Sequence, residues 1–389
     1  MKRQHISILI LFLSLLPSLA GPAHAQSILD IFKKKLPDIQ YMPETEFEEK
    51  TELHKDTPSG NRLLAYEIRA PKDWSLSEDV SLGSFVVDDK ILSTLAKFYG
   101  PAVTAGKHYM LIQTVGLEYQ MTAKNWIMQY LIENNYNVQG IKVHDPKKVE
   151  AVYIFVDNEN QTYVTRSIAQ INGKNLVFIQ FFLPIEDFKP NKIMQAQVLN
   201  SFKLTNPSEE LIENFKTHKF IDIAEVQYPE TWELKAPAVR SVDRINASIS
   251  NLDTKGAGRK RGILVGRIDF DLVSVYDMED IETEIDNYQK TLAKRGVFIR
   301  EELEDQNDFV FDDPEEIAET HVYKVIDKDI SVQDYEFWLT IRAFGDYFYF
   351  TSLLTPTRES DFFTWARNTQ AFKEVVQRFK EQEGSRASE

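Results

Sequence analysis

The chain has 389 residues, a formal net charge of −15, 25 Phe and 16 Tyr, and no cysteine. The missing thiols exclude disulfides, thiolate metal sites and cysteine nucleophiles. The negative charge works against nucleic acid and anionic membrane surfaces, and the length suits two domains with real cores.

Residues 1–25 read as a cleaved secretory signal. Lys2 and Arg3 precede an apolar run from Ile6 to Ala20, and Ala23-His24-Ala25 supplies the small-x-small pattern for cleavage after Ala25. The run is shorter than the about 20 residues of a spanning helix. The expectation is a periplasmic or secreted protein with no transmembrane segment in its mature chain.

Residues 26–61 read as a lead-in. Ile28, Leu29, Ile31, Phe32 and Leu36 line one face of a short helix, which would dock on the first domain, a partner or a membrane surface. Pro37 and Pro43 break the pattern, and the charged stretch Glu44 to Glu52 predicts a mobile linker.

A first α+β unit is placed at 62–206. Its elements are a strand from Leu63 to Arg69 closed by Pro71 and Trp74, a strand from His108 to Tyr119, and a helix capped by Thr122 with the stripe Trp126, Ile127, Tyr130 and Leu131. Strands then run from Val149 to Asp157, Gln161 to Ile171 and Asn175 to Leu183, with Asn172-Gly173 as a tight hairpin turn. A helix from Asn191 to Phe202 closes the unit. A linker at 207–217 follows, and the cap-like Asn206-Pro207-Ser208-Glu209-Glu210 predicts a short connecting helix.

The second unit, 218–382, repeats that order. Tyr66-Glu67-Ile68-Arg69-Ala70-Pro71-Lys72-Asp73-Trp74 reappears as Ala224-Glu225-Val226-Gln227-Tyr228-Pro229-Glu230-Thr231-Trp232, and Gly173 and Gly345 each precede an aromatic strand that stops at Pro184 and Pro356. Between these markers lie a strand from Ile263 to Tyr276, a helix capped by Asp277, and strands from Glu319 to Lys328 and Gln333 to Ala343. A helix from Phe363 to Phe379 closes the unit, and 383–389 reads as a disordered tail. Internal duplication is the simplest account.

The markers Pro71/Trp74, Pro229/Trp232, Asn200-Ser201-Phe202 and Gln377-Arg378-Phe379 resemble the Mog1/PsbP-like fold, here in two tandem copies. The resemblance implies an antiparallel sheet with helices on both sides. It also implies a role in binding a protein or assembling a membrane complex, with no catalytic motif and no cofactor.

Two loops are candidates for partner contact. One is basic and glycine-rich, with Lys255, Arg259, Lys260 and Arg261; its spacing is neither a P-loop nor a dinucleotide fingerprint. The other is acidic, with Glu302, Glu304, Asp305, Asp308, Asp312 and Asp313; it lacks the glycine and closing glutamate of an EF-hand. A second acidic run, from Asp269 to Asp286, falls mostly on a helix whose Glu279, Glu282 and Asp286 share a solvent face. The histidines show no paired ligand spacing, and no G-x-S-x-G elbow occurs. Phe348 and Phe350 share one strand face and Tyr347 and Tyr349 the other, as core under helices on both sides.

The function expected is therefore an exported, non-enzymatic binding or assembly factor engaging a cell-envelope protein complex. The alternatives are a periplasmic hydrolase using carboxylates near an inter-domain cleft, and a small-ligand carrier.

Overall fold

A computed structural model describes residues 28–78, 86–87, 90–103, 106–253, 263–294, 296–303, 318–327 and 334–381. The expected signal segment, 1–25, and the expected tail, 383–389, lie outside these residues. The chain begins with α1 (Ile28–Lys33) and α2 (Glu44–Lys50), then passes through β1 (Thr51–Asp56), β2 (Tyr66–Pro71) and β3 (Ser75–Leu76). A short hairpin of β4 (Val86–Val87) and β5 (Lys90–Ile91) precedes β6 (Ser93–Val103), β7 (Gly106–Gly116) and α3 (Ala123–Glu133). The first half ends with β8 (Asn137–Asp145), β9 (Lys148–Val156), β10 (Thr162–Asn172), β11 (Asn175–Pro184), α4 (Ile185–Asn200) and β12 (Lys203–Leu204).

The second half contains β13 (Phe215–Phe220), β14 (Ala224–Pro229), β15 (Glu233–Lys235), β16 (Arg244–Asp253), β17 (Ile263–Ser274) and α5 (Ile281–Lys294). It continues with β18 (Val297–Glu302), β19 (Ala318–Asp327), β20 (Tyr335–Phe344), β21 (Tyr347–Pro356), α6 (Phe362–Gln377) and β22 (Phe379–Glu381).

Strand order repeats from one half to the other. A seven-stranded sheet runs β3-β6-β7-β11-β10-β9-β8 in the first and β15-β16-β17-β21-β20-β19-β18 in the second. A three-stranded sheet runs β1-β2-β12 in the first and β13-β14-β22 in the second. The architecture is α+β, two tandem antiparallel units packed with helices.

The duplicated sequence markers have physical counterparts. In each Pro-x-x-Trp the tryptophan N–H closes a turn on the proline carbonyl, at 3.0 Å for Trp74 on Pro71 and 3.0 Å for Trp232 on Pro229. The hairpins β10–β11 and β20–β21 turn through Gly173 (φ 57°) and Gly345 (φ 46°), in the left-handed region that favours glycine.

Each central strand is apolar on both faces. On β11, Val177, Ile179, Phe181 and Leu183 pack with α4 and β2, whereas Leu176 and Phe178 pack with α3. On β21, Tyr349 and Leu353 join the α6 cluster, whereas Phe350 lies under α5 with Phe348. One continuous apolar cluster joins the α3 side of the first sheet to the α6 side of the second, so α5 covers a face remote from the first repeat.

Two buried polar networks fix this packing. Under α3, Gln180 Oε1 accepts from Tyr130 (2.9 Å) and Tyr153 (2.6 Å), while its amide donates to Gln113 (2.9 Å). At the start of α6, Glu336 is 1% exposed. It accepts the indole N–H of Trp338 (3.0 Å) and Trp365 (2.8 Å) and the Nε–H of Arg358 (3.3 Å).

Several expectations change. Residues 44–56 are not a mobile linker: Phe47 of α2 is 2% exposed, and β1 pairs along β2 from Thr51↔Pro71 to Asp56↔Tyr66. The segment after α1 docks on the first repeat, where Leu36 N donates to Ile141 O (3.1 Å) and Ile141 N to Lys34 O (2.9 Å). No helix forms at 205–214. Ser208 N instead donates to Asn172 Oδ1 (2.6 Å), tying that segment to the Gly173 hairpin. Asp280, not Asp277, caps α5 through Thr283 N (2.7 Å), and α4 starts before Pro190 rather than after it.

Two stability outcomes follow from this packing. A Cβ at Gly266 would lie 2.3 Å from the Asn368 amide nitrogen. That amide is held by Val265 O (2.9 Å), Thr355 Oγ1 (3.0 Å) and Asn251 Nδ2 (2.8 Å). Gly266→Ala is expected to cost about 1–3 kcal/mol in urea unfolding, and less in an Asn368→Ala background. Gln180→Leu removes the acceptor shared by two buried hydroxyls and is expected to cost about 1–3 kcal/mol; a loss within error would show that the network adds nothing to stability.

Candidate functional site

Most of the partner-contact residues expected from the sequence lie outside the described residues: Lys255, Arg259, Lys260 and Arg261 of the basic loop, and Glu304, Asp305, Asp308, Asp312 and Asp313 of the acidic one. Glu302 is described. It ends β18, half exposed, with its Oε1 2.8 Å from His321 Nδ1. The described strand residues nearest the two loops lie at opposite ends of the second sheet. Asp253 pairs with Ile263 at one end of the second sheet. Ala318, beyond the acidic loop, pairs with Arg342 at the other end, in the row of Tyr349 and Leu272.

The remaining charged candidates sort by burial. Glu279, Glu282 and Asp286 are exposed, whereas Glu284 is only 7% exposed. His108 Nε2 lies 3.0 Å from Asp187, and His144 Nε2 lies 3.3 Å from Glu150, which also binds Arg166. Among the described residues, no group of three or more His, Asp and Glu side chains is placed to hold a metal ion.

The second repeat has a hollow where the first is filled. The N-caps Thr122 (3.1 Å to Asn125 N) and Asp280 (2.7 Å to Thr283 N) align α3 with α5. Tyr130 then corresponds to Tyr288, and Trp126 to Glu284. Trp126 is 2% exposed and meets Phe178 edge-on at 4.9 Å. Glu284 instead grips Arg244 of β16 with both oxygens, at 2.8 and 3.1 Å.

The strands change in the same way. Gln113 pairs with Phe178 and Asp271 with Phe350, so Tyr109, Leu111 and Gln113 of β7 become Arg267, Asp269 and Asp271 of β17. Tyr109 stacks on Phe182 at 4.3 Å. Arg267 instead donates to Asp269 from Nε (2.9 Å) and Nη2 (2.6 Å). Tyr288 OH lies 3.1 Å from Asp271 and 3.0 Å from Ser352. Burial, with Asp271 and Asp269 nearby, holds that phenol well above its ordinary range, so it stays protonated as a donor. A cavity of about 310 Å³ opens between α5 and the strands β15 to β17.

A second hollow, of about 700 Å³, opens between the repeats. Its walls come from the segment after β7, the second Pro-x-x-Trp turn, the ends of β16 and β17, and the first turns of α6. The lining contains five carboxylates (Glu118, Glu230, Glu233, Asp253 and Asp361), a single guanidinium, Arg367, and the aromatic residues Tyr119, Trp232 and Phe363; Asp361 also caps α6 by accepting from Thr364 N (3.1 Å). Arg367 sits 4.9 Å from the Tyr119 ring centroid and donates to Thr231 Oγ1 (3.2 Å). The connecting segment holds the junction: Gln120 N donates to Glu213 Oε2 (3.3 Å), and Ile212 N to Gln120 Oε1 (3.1 Å). Lys90 lies 3.1 Å from Glu118 and Lys216 lies 3.4 Å from Glu230 at its margin.

Sequence reasoning met Asp269, Asp271 and Glu284 of the first hollow only as an acidic run, and it did not single out the lining of the second. Its one usable signal was the acidic flank of the second turn, Glu230-Thr231-Trp232-Glu233, against Lys72-Asp73-Trp74-Ser75 in the first.

No protein-family model matches the chain, and no curated protein matches it significantly. Among solved structures, it is similar to cyanobacterial PsbP (CyanoP) from Synechocystis sp. PCC 6803, with 10% identity and a TM-score of 0.30 over 43% of this chain and 98% of that one. It is also similar to the Ran-binding protein Mog1p of Saccharomyces cerevisiae, with 13% identity and a TM-score of 0.28 over 43% of this chain and 95% of that one. At these identities the Mog1/PsbP likeness concerns the fold alone.

Proposed function

We propose that the protein is an exported, non-enzymatic binding and assembly factor whose inter-repeat groove receives a basic, extended segment of a cell-envelope protein. The observation that carries this reading is the groove's lining of five carboxylates, three aromatic residues and one guanidinium. Lysine and arginine heads suit the carboxylates, and their apolar stems suit a lining that contains aromatic side chains. A groove shared by two rigid units also favours a chain-like ligand over a flat surface. No helix among the described residues is long and apolar enough to cross a membrane. The hydrolytic alternative draws on the same carboxylates, and no histidine stands among the described residues that line the groove.

The test is crosslinking in intact cells through a C-terminal tag, comparing the native chain with Glu233→Lys/Asp253→Lys. The expected result is an envelope protein captured reproducibly by the native chain and lost on charge reversal. A synthetic Lys/Arg-rich peptide should bind the purified native chain, and its affinity should fall as salt rises. Capture and peptide binding that are indifferent to the reversal would overturn the reading.

A further inference from the structure

The cavity under α5 carries its own chemistry, independent of the groove. Its lining contains three cationic and three anionic side chains. Both guanidiniums are already held by carboxylates, Arg244 by both oxygens of Glu284 and Arg267 by Asp269. A charged ligand would therefore compete at either guanidinium with an ion pair already in place. Hydrogen-bonding capacity is what such pairs keep: a carboxylate has about four lone-pair sites and a guanidinium five N–H donors.

Asn246 of β16 and Asn287 of α5 add amides, each both donor and acceptor, to opposite walls. Hydroxyl groups, which donate and accept at once, match this lining without net charge. The volume of about 310 Å³ lies at the small end of ligand pockets, roughly 300–1,000 Å³, a size for one or two sugar rings. Tyr288, aligned with Tyr130 of the filled repeat, lines the cavity while its ring stacks on Phe350 at 6.1 Å.

We propose that the second repeat binds a small, neutral, polyhydroxylated ligand, a mono- or disaccharide, between α5 and β16–β17. The hollow arises from side chains rather than from the fold, because the same helix and strands are filled in the first repeat. Trp126 there stands in place of Glu284, and Tyr109 and Leu111 in place of Arg267 and Asp269.

The test is thermal melting and titration calorimetry of the purified protein with glucose, N-acetylglucosamine, maltose and trehalose. Inorganic phosphate, glutamate and spermidine serve as charged controls. At least one sugar is expected to raise the melting temperature and bind saturably. Thr291→Trp, at an exposed position on the cavity rim, and Asn287→Leu should each weaken that binding about tenfold or more without changing the melting temperature of the free protein. Asn246→Ala on the opposite wall gives a third variant should either of these fail to fold. Binding to none of the sugars, binding only to a charged control, or sugar affinity unchanged in all folded variants would each overturn the proposal.

Discussion

Two-sided burial of the central hairpin is the constraint on which the rest of the structure depends. Along β11 and β21 successive side chains leave the sheet in opposite directions, and in both strands both sets are mostly apolar, with Gln180 and Ser352 among the buried polar exceptions. A sheet of that kind has no face to give to water, so each needs cover on two sides. α4 or α6 with a three-stranded sheet supplies one cover, and α3 or α5 the other. The shared cluster between α3 and α6 then joins two covered sheets into one body, and the groove lies at their seam.

Within that frame the repeats differ by side chain rather than by backbone. The first uses long amides and aromatic rings to fill the space under α3. At the matching positions the second uses shorter or charged groups, Ser352 for Gln180 and Asp271 for Gln113. These pair among themselves and leave room. Arg244 and Arg267 keep 43% and 40% of their side chains exposed, so these pairs line an open wall where the first repeat has packed core.

The sequence made the repeat legible because its signals are local and steric. A proline-closed turn ending in Trp, a glycine at positive φ and a Thr cap each depend on a few neighbouring residues. β1 was missed for a different reason: only Thr51 in it is buried, so an edge strand made of Glu, His, Lys and Asp carries no hydrophobic period to detect. Asp269, Asp271 and Glu284 were visible as charge density, but their pairing with Arg244 and Arg267 depends on strand register. The groove was beyond reach because its carboxylates come from separate segments of both repeats. Charge density in the sequence pointed to two loops that lie mostly outside the described residues and to the run from Asp269 to Asp286, part of which the structure brings to the wall of one hollow.

The shared carboxylate of Glu336 has an optical consequence. The chain has five tryptophans, and two of them, Trp338 on β20 and Trp365 on α6, donate to the same buried oxygen. Loosening α6 from its sheet would alter both indoles together, whereas Trp74 and Trp126 belong to the first repeat. Two of the five indoles thus report on the seating of α6, and the protein carries a built-in reporter of the helix that forms one wall of the groove.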